Sequence, residues 1–196
     1  GKGNVMKLYG SQTSPYVRRI RLLLADTPHD FINLNIFAGP DRETLAALNP
    51  TLRIPMLEDN GRVIFDSGVI YRYLAPQLDA AALSWYQENQ LTLINAVTDS
   101  LVMLLQCSRS GFDTNDDKLF FNLQRERVAT SLYVLEQQAA NAEFANWDYV
   151  AIALYSLVDW IMFRELLQLD DYPALLAFCA DNKTQPMIAD SDPRLG

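Results

Sequence analysis

Histidine and cysteine are nearly missing from this chain. One histidine, His29, and two widely separated cysteines, Cys107 and Cys179, stand among 196 residues, which leaves no spacing suited to a metal centre or a dithiol redox motif. Such sparse cysteine fits a reduced, cytoplasmic setting. Positive charge is also short: 16 Lys and Arg face 24 Asp and Glu, for a net charge of −8. That balance argues against nucleic acid or an anionic membrane as partner, so an anionic ligand needs a local basic or dipolar site. No unbroken apolar run approaches the roughly 18 residues that a membrane span requires, and Gly1 to Val5 is too short and too polar for a secretory signal. Internal repeats and low-complexity tracts are absent as well. Hydrophobic residues, in contrast, make up 49% of the chain, ample for one large or two small packed domains.

The opening carries the most chemical information. A short apolar run, Lys7-Leu8-Tyr9-Gly10, gives way to Ser11-Gln12-Thr13-Ser14-Pro15 and then to Tyr16-Val17-Arg18-Arg19-Ile20-Arg21-Leu22-Leu23-Leu24. This reads as a strand, a hydroxyl-rich turn and a helix start. A helix N-terminus has backbone N–H groups without partners and a partial positive charge, so a thiolate or carboxylate placed there is stabilised. Three hydroxyls, Ser11, Thr13 and Ser14, lie at that position.

Further along, Phe31 to Phe37 alternates apolar and polar side chains with period two, as a half-buried strand does. Asp41 to Leu48 reads as a short helix ended by Asn49-Pro50, because the residue before proline avoids helical angles. Ile54-Pro55-Met56-Leu57 and Arg62-Val63-Ile64-Phe65 flank Asp59-Asn60-Gly61, a tight hairpin turn. Asp66-Ser67-Gly68 then opens a helix over Val69 to Ala75. The order is β-α-β-α-β-β-α.

Beyond Pro76 the pattern turns to long helices, which sets a boundary between Ala75 and Ala80 and two domains, residues 1–78 and 79–196. Helices are expected from about Leu83 to Ser108, Asp116 to Ala140, Tyr149 to Leu169 and Pro173 to Ala180, before a polar tail through Asp192-Pro193-Arg194. The Tyr149 segment is apolar nearly all round, as suits a helix buried in its domain, with Asp148 as its N-cap. The fold class is α/β plus all-α.

This plan resembles the soluble glutathione S-transferase family, which has a thioredoxin-like β-α-β-α-β-β-α domain followed by a helical bundle. Four segments carry the resemblance. Ser14-Pro15-Tyr16-Val17-Arg18-Arg19 is similar to the family segment in which a serine or cysteine caps the first helix beside the glutathione thiol. Asn49-Pro50-Thr51-Leu52-Arg53-Ile54-Pro55-Met56-Leu57 is similar to the family run whose last proline is cis. Asp66-Ser67 resembles the acidic-Ser pair that grips the γ-glutamyl end of glutathione. Ile152-Ala153-Leu154 with Trp160 and Phe163-Arg164 resembles the family's buried core helix. Two positions depart from the pattern. Leu52-Arg53 replaces the usual Gly-Lys, which keeps the charge but not the turn flexibility. Asp148 and Ala151 replace the usual capping box, so the cap survives while its reciprocal bond is lost, at a cost of about 1 kcal/mol.

The resemblance implies a cytoplasmic enzyme, dimeric with itself, that joins the sulfur of reduced glutathione to a small hydrophobic electrophile without a metal, a nucleic-acid partner or a membrane. It implies a catalytic hydroxyl at Ser14, with Thr13 and Ser11 as rivals, and glutathione contacts from Arg53, Ile54, Pro55, Asp66 and Ser67. The residues themselves admit other readings. Ser14 before proline is also an ordinary helix cap, Asp66-Ser67 is also a common cap, and Pro55 could be a trans proline at the start of an edge strand. Arg18, Arg19 and Arg21 read as a solvated cationic face. Cys107 and Cys179 read as buried apolar thiols, and Tyr155, Trp160 and Phe163 as core, while Tyr16 and Met103 are candidates to line an electrophile pocket between the domains. A glutathione-transferase fold serving as a non-catalytic binding or regulatory protein is the alternative from another class. A glutathione-dependent isomerase or reductive enzyme is a third, with the lack of cysteine at position 14 counting against thiol-transfer reduction.

Overall fold

The computed structural model describes residues 5–196; the reading of Gly1 to Asn4 lies outside them. The chain divides into two compact units, one reaching Ala82 and taking in Lys183–Gly196, the other spanning Leu83–Asn182. The first unit holds strands β1 (Met6–Gly10), β2 (His29–Asn33), β3 (Met56–Asp59) and β4 (Arg62–Ile64) with helices α1 (Pro15–Leu23), α2 (Gly39–Leu48) and α3 (Ser67–Leu74). The second holds α4 (Trp85–Arg109), α5 (Leu119–Ala140), α6 (Tyr149–Arg164) and α7 (Pro173–Asp181). The expected class, a thioredoxin-like domain and a helical one, is the one observed.

The sheet runs β2-β1-β3-β4, with β1 parallel to β2 and antiparallel to β3, and β3 antiparallel to β4. Period-two alternation divides its side chains between two faces. Leu8 and its partner Leu57, both fully buried, lie on one. Tyr9 and its partner Met56 lie on the other, in a cluster with Leu34 and with Leu45 of α2. On the Leu8 face α1 comes so close to β1 that a Cβ on Gly10 would sit 2.7 Å from Val17 Cγ2 and nearer still to Cγ1. Glycine is needed there for space rather than for its backbone angles.

The second strand is shifted from its expected place. Phe31 to Phe37 was the predicted span, but β2 ends at Asn33, whose partner Gly10 is the last residue of β1. Asn35 and Phe37 then enter a turn in which Asp41 Oδ2 accepts from Asn35 N–H and Asn35 Oδ1 accepts from Phe37 N–H. Local side-chain acceptors thus outcompete a ladder that has no partner left. The hairpin follows expectation, with Asn60 at φ 51° and Gly61 at φ 78°, as a primed turn requires.

In the second unit, α6 is buried from Tyr149 to Ile161, and Asp148 caps it by accepting from Ala151 N–H at 3.0 Å. The helix stops at Glu165, which adopts left-handed angles, rather than running to Leu169. By length and apolar composition α4 would suffice to cross a membrane, against the expectation drawn from unbroken runs. Its fully buried Ile94 and Val97 account for part of that character by packing, since α4 lies against α5 and α6. Cys179 is buried, whereas Cys107 is only half-buried because it lies in the last turn of α4, past the last buried residue, Leu101.

The largest departure concerns the tail. Residues 183–196, assigned by the sequence pattern to the helical domain, pack with the first unit and end in a short 3-10 turn, Pro193–Leu195. Their anchors are arginines of α1. Arg18, Arg19 and Arg21, read as a solvated face, are 3%, 1% and 8% exposed. Arg18 is covered because the Ser191 hydroxyl and the Ile188 carbonyl of the tail take its N–H groups, and Arg21 because Gln12 and the Asp190 carbonyl take two of its nitrogens, although its buried Nε has no hydrogen-bond partner.

Two measurements test this account. Gly10→Ala is expected to destabilise the protein by about 1–3 kcal/mol through overpacking against Val17, read as a lower urea midpoint. Tyr9 donates its hydroxyl hydrogen to Glu58 Oε2 at 2.8 Å; burial, that hydrogen bond and the Glu58 charge push the phenol up to about 12. Because the folded state holds this proton more tightly than the unfolded one, the contribution is complete below pH 10 and is lost as pH rises from about 10 to about 12. Denaturation curves at pH 9 and pH 11.5 should show this loss in the wild type and a smaller one in Tyr9→Phe.

Candidate functional site

Three chain segments meet at one end of the sheet, and register shows why. β1 finishes at Gly10, and its antiparallel neighbour β3 begins at Met56, opposite Tyr9, so Pro55 comes next to Gly10 when the pairing is extended by one residue. β4 is antiparallel to β3 with Ile64 opposite Leu57, which carries Asp66 to the level of Pro55. The N-termini of α1 and α3, two positive dipole ends, therefore open on the same edge as the loop before β3. α1 and α3 also pack against each other.

Ser14 is the N-cap of α1: its Oγ accepts from Val17 N–H at 3.2 Å, and Pro15 follows at the first helical position. The cap uses one lone pair and leaves the hydroxyl hydrogen to donate. Ser14 can therefore cap the helix and donate to a thiolate together, so its two readings are compatible. Ser11, Thr13 and Ser14 are all half-buried.

In the second segment the Ile54–Pro55 peptide is cis, as is Phe65–Asp66. Pro55 is buried, Ile54 half-buried and Arg53 exposed. The loop owes its shape to Asn49, which is 1% exposed. Asn49 Nδ2 donates to the Arg53 carbonyl at 2.9 Å, and Oδ1 accepts from Thr51 N–H at 3.0 Å and from its hydroxyl at 2.7 Å. Leu52 has φ 59°, in the left-handed region that favours glycine. Its side chain packs on the Tyr9 cluster, so apolar burial offsets a backbone penalty of about 1–2 kcal/mol. The departure seen in the sequence thus falls on the residue whose backbone angle would suit glycine.

Asp66 caps α3: its Oδ1 accepts from Gly68 N–H at 3.0 Å and from Val69 N–H at 3.3 Å. The Gly68 N–H is thus engaged within the chain. Ser67 is 6% exposed at the first position of α3.

Asn49 and Gln12 are the polar side chains that sequence reasoning missed. Asn49 was read as the end of a helix and as the head of the run leading to Pro55, with no role for its side-chain amide, and the run Asn49-Pro50-Thr51, with an Asx acceptor two residues before a hydroxyl, was the available signal. Nothing local marked Gln12, whose partners lie in the tail. Tyr16, half-buried beneath the Arg19 guanidinium at 4.9 Å, belongs to the first unit, and Met103, 42% exposed, to the second. Among the described residues no cluster of His, Cys, Asp or Glu is suited to a metal ion.

Residues 8–80 match the family model described as the N-terminal domain of glutathione S-transferase. The uncharacterized GST-like protein YibF of Escherichia coli K12 is 28% identical over 172 residues, 82% of this chain and 84% of that protein. A glutathione transferase family member from Pseudomonas fluorescens Pf-5, solved with bound glutathione, superposes with a TM-score of 0.78 at 26% identity, covering 96% of this chain and 98% of that one. A glutathione S-transferase from Methylobacillus flagellatus KT, also solved with glutathione bound, gives a TM-score of 0.83 at 24% identity over 96% and 99% of the two chains. With the strand order, the capped α1 and the proline-led β3 already in place, these likenesses establish that residues 8–80 form an N-terminal domain of the glutathione S-transferase family and that the chain has the fold of the glutathione transferases.

Proposed function

We propose that this chain binds reduced glutathione at the α1–β3–α3 end of its first unit and joins the glutathione sulfur to a small hydrophobic electrophile. The observation that carries this is the Ser14 hydroxyl, which caps α1 through a lone pair and keeps its hydrogen for a sulfur at the helix N-terminus. There a thiolate gains one hydrogen bond and the favourable end of the helix dipole, which lowers the thiol pKa without any ionisation of the serine. Thr13 and Ser11 are the neighbouring hydroxyls in the same turn. The Ile54 backbone, beside Pro55, pairs with the peptide-like spine of the ligand, as an added strand would. Ser67, at the positive end of the α3 dipole, receives the γ-glutamyl carboxylate, with Asp66 near its ammonium and Arg53 as a further cationic contact.

Chemically the step is substitution or addition. The sulfur lone pair forms the carbon–sulfur bond, a leaving group departs or a multiple bond takes up the electron pair, and the thiol proton passes to solvent. The protein supplies position and a stabilised thiolate, while the ligand supplies the nucleophile. A homodimer in a cytoplasmic setting completes the proposal. The net charge of −8 supports a small-molecule function over nucleic acid or an anionic membrane.

One observation favours a second reading, a glutathione-binding regulatory protein without turnover. The Gly68 amide is already committed to Asp66, which leaves the grip on the ligand to fewer groups.

Calorimetric titration of reduced glutathione separates these readings. The wild type should saturate, and Ser67→Ala should weaken binding about 5- to 150-fold, or 1–3 kcal/mol, by leaving the ligand carboxylate short of a donor. Ser14→Ala should chiefly lower the rate of conjugation to a generic electrophile such as 1-chloro-2,4-dinitrobenzene. Binding without conjugation points to the regulatory reading. Unchanged affinity in Ser67→Ala removes the assignment of that residue.

A further inference from the structure

The buried arginines of α1 and the residue before the hydroxyl pair Thr13-Ser14 form one network with the C-terminal segment. Arg18 Nε donates to Ser191 Oγ and Arg18 Nη2 to the Ile188 carbonyl, each at 3.0 Å, both within buried surroundings. Arg21 Nη1 donates to Gln12 Oε1 at 2.8 Å, and Nη2 lies 3.4 Å from the Asp190 carbonyl. Gln12 Nε2 donates to the carbonyls of Asp190 at 3.0 Å and Asp192 at 2.9 Å. Its backbone N–H donates to Asn33 Oδ1 at 3.2 Å. Phe31 carries the Arg21 guanidinium 4.0 Å above its ring. At the far end of the segment, a Cβ on Gly196 would lie 3.0 Å from both Gln12 Cβ and Thr13 Cγ2, so the tail reaches the residue next to Ser14.

We infer that residues 188–192 act as a strap for the Ser11–Ser14 turn, with Gln12 as the positioning residue that ties that turn to both the strap and Arg21. Gln12 is well suited to the task. Its amide offers one acceptor and two donor hydrogens, and the network takes the acceptor with Arg21 and the donors with two carbonyls. The turn is thus held from Asn33 on one side and from the strap on the other, and the Ser14 hydroxyl is presented in one place. Burial disfavours the charged Arg21, and Asp190 partly offsets this. Desolvation draws Asp192 upward, but the backbone and side chain of Arg194 and the charge of Arg18 hold it below the ordinary carboxylate range. Asp190 and Asp192 of the strap thus set negative charge against Arg21 and Arg18 of α1.

This inference rests on the glutathione site proposed above, and its test keeps the two apart. The probes are reduced glutathione by calorimetry, thermal unfolding, and amide hydrogen exchange at Gln12, Thr13 and Ser14, on the full chain. Gln12→Ala takes the acceptor from the buried Arg21 Nη1 and one donor from each of two strap carbonyls, so the unfolding midpoint should fall by about 2–4 °C. The same substitution should weaken glutathione binding about fivefold to tenfold and speed exchange of the residue 12 amide, which Asn33 Oδ1 holds in the wild type, with protection restored at saturating glutathione. Gln12→Glu, which turns an acceptor towards two carbonyls, should show the same pattern more strongly. Wild-type affinity and exchange in both variants would overturn the inference. So would a loss of affinity accompanied by faster exchange throughout the first unit, because the segment would then serve the fold alone. Absence of glutathione binding in the wild type would remove the proposed site, and the strap's role with it.

Discussion

Contact between α1 and β1 at Gly10 and Val17 is the constraint on which the first unit depends. Because no side chain separates them, the helix leaves the sheet end after a turn of only four residues, and its N-terminus stays beside the residues that follow the strand. A larger residue at position 10 would push α1 outwards and carry Ser14 with it. The antiparallel register of β3 then delivers Pro55 to the same edge, and the return through β4 delivers Asp66 and Ser67. Two helix N-termini and one strand start converge because each strand pair shares a register, and not because their residues are near in sequence.

Polar groups are managed differently in the two helix starts. Ser14 accepts an amide and keeps a donor, whereas Asp66 spends one oxygen on two amides. The first arrangement leaves a hydrogen for a soft anion. The second rigidifies the start of α3 and, in the proposed site, leaves the ligand carboxylate to the neighbouring serine. In the loop before β3 the same logic appears in Asn49, whose amide replaces the turn flexibility that a glycine at position 52 would bring.

Much of this was legible along the chain. The β-α-β-α-β-β-α order, the hairpin turn, the caps Ser14, Asp66 and Asp148, and the buried helix α6 are set by nearest neighbours and by apolar periodicity, which act over a few residues. The end of β2 was not legible, because alternation persists through Phe37 while the ladder stops where β1 runs out of partners. Nor was the fate of the arginines. A run of cations on a helix is ordinarily solvated, and their acceptors Ser191 and Ile188 lie some 170 residues further along the chain.

By itself, then, the sequence determined the class of fold, the order of its elements, the hydroxyl at the start of the first helix and the family to which the pattern belongs. Those properties follow from local propensity and spacing. Tertiary structure alone decided that the tail joins the first unit, that Arg18 and Arg21 are buried with it, and that Gln12 ties the turn before Ser14. Burial of a charged side chain is fixed by the partners that reach it, and those partners come from the other end of the chain.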